Sequence, residues 1–346
     1  MKISKKVLFP VLIVALMAGM LSCNTNGRLG KSKKIVINEI MASNRTGLQA
    51  PNGKPVDWIE LKNTGNDTID LLGFELSLTK LTEGEDPDAD PVEETKTWQF
   101  PSVKIGAGEC LVILTDKGSA QDFEDELIAD FKLPKDGGTI QFSAPNGKVI
   151  SEVTYERLSA DQAYARNEHN KFEATYMATP GFDNTPEGYA KANEKIYEGR
   201  GPLLFWELMS KSENPSENWV ELKNTGNSAI DLSSYSLAKK MDKNEESWRL
   251  PARTLEPGQI VTIKLAGIQF DKSDELQAPI QLGNSETLVL TKNGNFADGI
   301  NGKSTPAGST VGRRGGSKGF LYFPTPTRNA ENSGNGTPLP PAQTNK

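Results

Sequence analysis

The chain has 346 residues, of which 36% are hydrophobic and 24% are charged, and its formal net charge is −6. This composition is ordinary for globular domains, and the length is sufficient for two hydrophobic cores. One histidine and two cysteines leave almost no material for a histidine-based triad or a multi-histidine metal site.

The N-terminus has the pattern of an export signal. Lys2, Lys5 and Lys6 precede an apolar run over 7–21, and a small residue then precedes Cys23. The run is short for a transmembrane anchor, and a polar stretch follows it. The segment resembles the lipobox of bacterial lipoproteins, which implies a signal peptide over 1–22, lipidation of Cys23 and a polar tether over 23–34.

Lipidation at Cys23 would place the protein in the bacterial cell envelope. The membrane would then be a partner through the lipid anchor, and the outer membrane is the expected one. No acidic run follows Cys23, so the leaflet stays open. Cys110 would be left as the only free thiol, which excludes an intrachain disulfide.

The sequence contains an internal repeat. Residues 58–71 read W-I-E-L-K-N-T-G-N-D-T-I-D-L and residues 219–232 read W-V-E-L-K-N-T-G-N-S-A-I-D-L, identical at 11 of 14 positions. The segments 98–101 and 248–251 also correspond, and 11 additional residues lie between these marks in the first copy. Two copies of one structural module are therefore expected.

The additional residues form an acidic segment that includes Asp86, Asp88 and Asp90. The spacing of two is typical of calcium ligands, but Pro91 and Thr97 occupy the positions where an EF-hand needs glycine and glutamate. A solvated surface loop is the preferred interpretation, and a cation site is the open alternative.

The periodicity indicates strands. Ile59 and Leu61 alternate with Glu60 and Lys62, which predicts one face toward a core and one toward solvent. The residues 63–66 then supply a turn. Because similar short runs recur between glycines, prolines and asparagines, the sequence predicts an all-β fold of antiparallel sandwiches. These runs are 111–114, 139–142, 261–265 and 287–290.

An ordered set of short motifs resembles the lamin tail domain, an immunoglobulin-like β-sandwich. In the first copy the motifs are Asn38-Glu39-Ile40, Asp57-Trp58-Ile59-Glu60-Leu61, Ile69-Asp70-Leu71, 98–101, 106–109, 131–133 and Thr179-Pro180-Gly181-Phe182-Asp183-Asn184. The resemblance implies two such sandwiches in tandem, over 35–186 and 204–329. A linker with a short helix is expected over 187–203, and a disordered tail over 330–346. Thr327 was aligned with Gly181, so the closing turns are expected to differ.

The main candidate functional site is a pair of glutamates that occurs at corresponding positions in both copies. Glu39 and Glu60 correspond to Glu207 and Glu221, and paired carboxylates can perform acid and base chemistry or bind metal. A carboxylate that accepts bonds from loop amides explains the repetition equally simply, and this structural role is preferred. His169 is expected to be a solvent-exposed loop residue without a catalytic role.

Three further features were weighed. The segment 312–319, with Arg313 at its start, is glycine-rich and basic but lacks Walker spacing, so a loop turn matching Arg166 is preferred. Cys110 aligns with Ile260 and is therefore expected to be a half-buried residue that takes the place of an apolar side chain and is not a reactive thiol. The repeated tryptophans 58, 98, 219 and 248 are expected to be packing anchors, whereas Trp206, which replaces Asn38 of the first copy, is the tryptophan for which an exposed binding role is expected.

Charge differs between the copies. From 35 to 187 there are 28 acidic and 13 basic residues, and from 200 to 332 there are 15 and 16. An acidic first module disfavours nucleic acid as a partner.

The sequence favours a non-enzymatic, lipid-anchored envelope protein that binds or scaffolds an unknown protein or glycan. No catalytic residue, cofactor or resident metal is expected. The alternatives are a glycan-binding lipoprotein of a polysaccharide-uptake system and an accessory module to an envelope hydrolase.

Overall fold

A computed structural model describes residues 30–82, 92–117, 126–214, 217–239, 247–267, 275–283, 286–303, 305–315, 319–334 and 336–337. The fold is almost entirely β, as predicted, and its strands form two sandwiches of twelve strands each. None of the helices in the described ranges is long and apolar enough to cross a membrane.

The first sandwich, here called module 1, contains strands β1 to β12. Their bounds are β1 Ile35–Met41, β2 Asp57–Asn63, β3 Ile69–Asp70, β4 Glu75–Thr82, β5 Val92–Gln99, β6 Lys104–Ile105, β7 Cys110–Thr115, β8 Ile128–Ala129, β9 Gly137–Ser143, β10 Val149–Glu156, β11 Ala163–Arg166 and β12 Phe172–Thr175. A six-stranded sheet in the order β12-β11-β1-β2-β7-β8 faces a four-stranded sheet in the order β10-β9-β4-β5, and β3 pairs with β6.

The second sandwich, module 2, contains strands β13 to β24. Their bounds are β13 Leu203–Met209, β14 Trp219–Asn224, β15 Ile230–Asp231, β16 Tyr235–Ala238, β17 Trp248–Arg249, β18 Thr254–Leu255, β19 Ile260–Leu265, β20 Leu276–Ala278, β21 Thr287–Lys292, β22 Asn295–Asn301, β23 Thr310–Gly312 and β24 Leu321–Phe323. Its sheets have the orders β20-β19-β14-β13-β23-β24 and β17-β16-β21-β22, and β15 pairs with β18. Each strand of module 1 therefore has a counterpart in the same order.

Alternating apolar residues build the core of each sandwich. Ile59 and Leu61 point inward from β2, and Val220 and Leu222 do so from β14; all four are 0% exposed. The prediction that the other face of β2 is open to solvent is wrong, because Glu60 is also 0% exposed. That face lies under the closing loop of module 1, which carries the candidate site.

The duplicated N-T-G-N segment is a structural turn in both modules. The side chain of Asn63 donates to the carbonyls of Asp67 (2.7 Å) and Ile105 (3.1 Å) and accepts from the Gly65 amide (2.9 Å). Asn224 makes the same three bonds in module 2. Each buried asparagine thus satisfies three backbone groups and fixes the exit from the central strand.

The modules are joined by a helix and a polar contact. Helix α1 (Pro186–Ile196) begins after Thr185, whose hydroxyl accepts from the Gly188 amide at 3.0 Å. Beyond the helix, the Arg200 guanidinium donates to the carbonyls of Thr46 and Gly47 in module 1, both at 2.9 Å. It also donates to Asp298 of module 2 at 3.0 Å.

The contact between the modules also has an apolar part. Tyr176, which follows the last strand of module 1, belongs to the hydrophobic core of module 2, as does Tyr197 from the linker. The guanidinium of Arg200 lies 4.1 Å from the ring centre of Tyr197. The sandwiches therefore share packed residues.

Candidate functional site

The repeated glutamates lie side by side on neighbouring strands. Glu39 of β1 faces Glu60 of β2, and Glu207 of β13 faces Glu221 of β14. A register shift immediately precedes the first member of each pair, between Ile37 and Glu39 in module 1. All four carboxylates are 0% exposed. The structure thus brings together the residues that the sequence paired.

In module 1 the pair binds the closing loop, residues 179–184. Glu39 accepts from the Thr179 amide at 3.1 and 3.2 Å and from its hydroxyl at 2.8 Å. Glu60 accepts from the Gly181 amide at 2.6 Å and from the Asn38 side chain at 2.7 Å. The carboxylates therefore satisfy the buried donors of a loop that lies more than 100 residues away in the chain.

Module 2 uses the same arrangement. Glu207 accepts from the amide of Thr327 (3.2 Å to each oxygen) and from its hydroxyl (2.9 Å). Glu221 accepts from the amide of Asn329 at 2.5 Å. The hydroxyl of Thr310 supplies a further bond to Glu207 at 2.5 Å.

These bonds correct the alignment of the closing loops. Thr327 corresponds to Thr179, not to Gly181, because both threonines give an amide and a hydroxyl to the first glutamate of the pair. Gly181 corresponds to Asn329, and both have positive φ, 83° and 63° respectively. Asparagine is among the residues that tolerate this conformation, so the two turns are the same rather than different.

The donor to the second glutamate has moved between strands. In module 1 it is Asn38, next to Glu39 on β1. In module 2 that position holds Trp206, and the Thr262 hydroxyl of β19 lies within hydrogen-bond distance of Glu221, at 2.9 Å, and of the Asn329 side-chain oxygen, at 2.5 Å. The residue that corresponds to Thr262 in module 1 is Val112, which cannot donate.

An asparagine closes each loop. Asn184 donates to the carbonyls of Asn38 (3.2 Å) and Arg166 (2.7 Å), and its side-chain oxygen lies 2.8 Å from the Thr179 hydroxyl, whose single proton it shares with Glu39. Asn332 donates to the carbonyls of Trp206 and Arg313 in module 2. Module 2 therefore extends beyond the predicted boundary at 329, and Asn332, assigned to the disordered tail, is only 6% exposed.

A lysine completes the closure in both copies. Lys62 forms an ion pair with Asp183 at 2.5 Å, and Lys223 forms the equivalent pair with Glu331. Since Asp183 and Glu331 are largely exposed, each pair contributes at most about 1 kcal/mol.

Burial sets the protonation of the carboxylates. It raises the pKa of Glu39, and the neighbouring Glu60 raises that pKa further. Burial likewise raises the pKa of Glu60 and of Glu221 to about 7, and that of Glu207 in the same direction. Donated bonds from the closing loops oppose these shifts.

Raised carboxyl pKa values are common at catalytic sites, but the surroundings here are those of a structural site. Amide and hydroxyl protons point at the carboxylates, which leaves no open face for a substrate and disfavours a cation. In the described ranges no group of three or more His, Cys, Asp or Glu side chains is placed to hold a metal ion. The geometry therefore favours the preferred role, acceptors for loop donors.

The tryptophans differ partly from expectation. Trp58 and Trp219 are buried at 1% and 4% exposure, and Trp98 and Trp248 are half-buried, so these four are packing residues as predicted. The expectation for Trp206 is wrong. It is 5% exposed, and the Lys223 ammonium covers its ring at 4.0 Å from the ring centre.

The basic glycine-rich segment is not an open phosphate site at Arg313. This side chain is 1% exposed and pairs with Asp298 at 2.7 and 3.1 Å. It also donates to the Phe205 carbonyl, as Arg166 does to the equivalent Ile37 carbonyl. The predicted match between Arg313 and Arg166 is confirmed.

The remaining candidates are placed as follows. His169 lies on the exposed turn between β11 and β12. Cys110 is half-buried and corresponds to Ile260, as predicted. Lys62 lies opposite it, but burial and then Glu60 raise the pKa of the thiol, so it is not an activated nucleophile. Cys23 and the acidic residues Asp86, Asp88 and Asp90 lie outside the described residues.

The polar contact between the modules was missed from the sequence. Asp298 is 0% exposed and accepts bonds from Arg200, from Arg313 and, at 2.9 Å, from the Phe205 amide. The available signal was a single charged residue, Asp298, between apolar and small residues in the strand Asn295–Asn301. Asp161 of module 1 likewise accepts from the amides of Arg45 and Thr46, at 2.7 and 2.8 Å.

Solved structures give a distant likeness only. The chain is similar to the exo-chitosanase of Amycolatopsis orientalis at 12% identity and a TM-score of 0.17, covering 74% of this chain and 26% of the enzyme. A complex of a variant of that enzyme with PNP-β-D-glucosamine matches at 13% identity and the same TM-score, over 75% and 26% of the two chains. The chain thus spans about a quarter of these proteins, and likeness at this level carries no functional argument.

A comparison with curated proteins finds no match. The family comparison, in contrast, matches the Lamin Tail Domain twice, over residues 30–157 and 198–303, which together are more than half of the chain. The lamin tail domain is an immunoglobulin-like, non-enzymatic domain. With two sandwiches of one topology and one closing mechanism, the chain belongs to the lamin tail domain family.

Proposed function

We propose that the protein is a non-enzymatic, lipid-anchored component of the bacterial cell envelope that binds or scaffolds a partner through its two modules. The observation that carries the proposal is the use of the repeated polar residues. Glu39, Glu60 and their counterparts Glu207 and Glu221 accept bonds from their own closing loops. The repeated residues therefore maintain a scaffold, and contacts with a partner fall to strand edges and outer loops.

The anchor is inferred from the sequence. The lysines at positions 2, 5 and 6, the apolar run and the small residue before Cys23 support a lipidated N-terminus. A single polar tether over 23–34 would then hold both modules close to the membrane surface.

The unequal charges of the modules support different contacts. Residues 35–187 have 15 more acidic than basic residues, whereas residues 200–332 have one more basic than acidic residue. Since complementary charge speeds and selects association, module 1 is suited to a basic protein surface.

The fully exposed side chains in the described part of the chain give the glycan alternative no support. That alternative predicts exposed aromatic rings, and Trp206, the tryptophan expected to be exposed, is buried. Leu72, Val92 and Val149 are the exposed large hydrophobic side chains in the described part of the chain, and none is aromatic. Sugar binding in a shallow groove generally uses an accessible aromatic ring.

The anchor is tested by membrane fractionation. Replacing Cys23 by Ala should move the protein from the membrane pellet to the soluble fraction, and Cys110→Ala is the matched control because that thiol is half-buried in β7. If the Cys23→Ala protein stays in the membrane, lipidation is refuted.

Binding is tested on envelopes solubilised in mild detergent after brief crosslinking. The tagged protein should recover one partner in a stoichiometric amount, identified by mass spectrometry. A glycan array is run in parallel on the same protein. Recovery of no partner would contradict the binding proposal, and glycan capture without a protein partner would select the alternative.

A further inference from the structure

Within the described residues, module 1 has a longer strand edge than module 2. In the sheet order β10-β9-β4-β5, strand β5 has β4 as its one described partner strand, and it has eight residues. Its counterpart β17 has two. The other edge of this sheet, β10, is partly covered, because the Ile37 amide of β1 donates to the Ser151 hydroxyl at 3.0 Å.

The outward-facing backbone groups of β5 follow from its pairing. The Phe100 amide donates to the Phe74 carbonyl at 2.8 Å, so the backbone of Phe100 points toward β4. Register is kept without interruption from Gln99 to Val92. Alternation then directs the amides and carbonyls of Glu93, Thr95 and Thr97 away from β4, toward the outer edge of the sheet.

The sequence of β5 is self-complementary in one antiparallel register. With Thr95 opposite Thr95 of a second copy, Glu94 lies opposite Lys96 on both sides of the two-fold axis. Centring the pair on Lys96 would instead bring two lysines together, and centring it on Glu94 would bring two glutamates together. Opposite charges in facing positions stabilise a strand pair and like charges destabilise it.

The charge pattern continues into the neighbouring strand. Lys80 of β4 is the facing partner of Glu94 and pairs with it at 3.0 Å. In the register centred on Thr95, Glu94 would therefore lie between two lysines on the same face of the sheet, Lys80 of its own chain and Lys96 of the second copy. The exposed side chain of Val92, at 59%, would lie opposite Trp98 of the second copy.

We propose that β5 is a self-association edge, through which two copies of the chain pair antiparallel about Thr95. The four-stranded sheets of two modules then form one continuous sheet. Three facing pairs, Glu93 with Thr97, Thr95 with Thr95 and Thr97 with Glu93, would each exchange two backbone hydrogen bonds. An isologous contact of this kind closes as a dimer.

Two considerations oppose the pairing. The net negative charge of module 1 repels a second copy, although interactions beyond about 8 Å are screened at physiological ionic strength. Charged residues on an edge strand also serve in many proteins to prevent pairing. The experiment must therefore distinguish charges that stabilise the strand pair from charges that prevent pairing.

The test is disulfide crosslinking of the full-length protein in its native envelope. In the proposed register the Thr95→Cys side chains face each other at a Cα separation of about 5.5 Å, within disulfide range. Oxidation should yield a dimer band on a non-reducing gel. Thr154→Cys, on the opposite edge strand β10, is the matched control and should yield none.

Charge reversal then tests the register. In the Thr95→Cys background, Lys96→Glu makes both facing pairs repulsive and should lower the crosslinking rate about tenfold. Glu94→Lys alone should act similarly, and the double reversal should restore the rate. Thr97→Pro removes an outward amide without touching the β4 pairing and should abolish the band.

Three results would overturn the proposal. They are no dimer band from Thr95→Cys, an equal band from Thr154→Cys, and faster crosslinking after Lys96→Glu, which would mark the charges as protective. Protease resistance of each variant identifies loss of folding, and Thr97→Pro keeps the test decisive because it leaves the charges in place.

Discussion

Loss of the Asp298 side chain should strongly destabilise the protein. That side chain accepts bonds from Arg200 at 3.0 Å, from Arg313 at 2.7 and 3.1 Å, and from the Phe205 amide at 2.9 Å. The two arginine side chains are 5% and 1% exposed. Asp298→Ala would therefore leave two guanidinium charges and a backbone donor in a buried environment.

Removing one partner of a buried ion pair costs roughly 3 to 5 kcal/mol. Some compensation remains, because Arg200 keeps its bonds to the Thr46 and Gly47 carbonyls and Arg313 keeps its bond to the Phe205 carbonyl. We therefore expect a loss of about 4 kcal/mol in the free energy of unfolding, and a smaller loss for Asp298→Asn, which keeps the shape of the side chain.

Urea denaturation of the chain from residue 24 onward, followed by tryptophan fluorescence, measures the loss. Because Arg200 bridges Asp298 to carbonyls of module 1, Asp298→Ala should also separate the unfolding of the two modules into distinct transitions. Glu256→Ala, an exposed acidic residue of module 2, is the control and should change stability by less than about 0.5 kcal/mol. A loss below about 1 kcal/mol for Asp298→Ala would refute this account of the contact.

Three further predictions concern the closing loops. Burial raises the pKa of Glu60 and Glu221 to about 7, so the folded state binds more protons than the unfolded state between the ordinary value of 4.5 and pH 7. The free energy of unfolding should therefore fall as pH rises through this window, by up to about 3 kcal/mol for Glu221, and a profile that is flat or rising there in urea titrations would contradict it. Gly181→Ala should cost about 1 kcal/mol because φ is 83°, whereas Gly181→Asn, which introduces the residue of the corresponding turn in module 2, should cost less; equal effects in thermal melts would rule out equivalent turns. Thr262→Val should cost about 1 to 3 kcal/mol by removing a donor from buried Glu221, while Thr254→Val, at an exposed position of β18 in the same module, is the control; the result fails the prediction if both variants melt alike.

The repeat and the all-β class could be predicted because both depend on local pattern. Alternation around Ile59 and the turn at 63–66 are features of neighbouring residues. The proximity of Glu39 to Glu60 could also be predicted from the sequence, since their strands are close in sequence. Their donors Thr179 and Gly181 did not, because a contact over more than 100 residues leaves no periodic trace.

The errors have a common physical cause. Trp206 was expected to be exposed because it has no tryptophan counterpart in module 1, where Asn38 occupies the position, but Lys223 and the loop that ends at Asn332 cover that face in module 2. Glu60 was expected to face solvent because it alternates with the inward-facing Ile59 and Leu61. In both cases alternation identified the sandwich core correctly, yet it gave no information about the loop that returns to cover the second face.

Because the side-chain donor to the second glutamate lies on different strands in the two modules, single residues cannot be exchanged between them without loss of that hydrogen bond. Asn38 serves Glu60 in one, and Thr262 serves Glu221 in the other. A module that acquired Trp at position 38 while keeping Val112 would lose the side-chain amide donor to Glu60 and keep the Gly181 amide, whereas a module with both Asn38 and a threonine at position 112 would tolerate loss of either side-chain donor. After the duplication, the two modules could therefore diverge most easily through an intermediate that had both side-chain donors. A chimaera of module 1 that receives the β13 residues in place of β1 but keeps its own β7 should be less stable than the sum of the separate effects predicts.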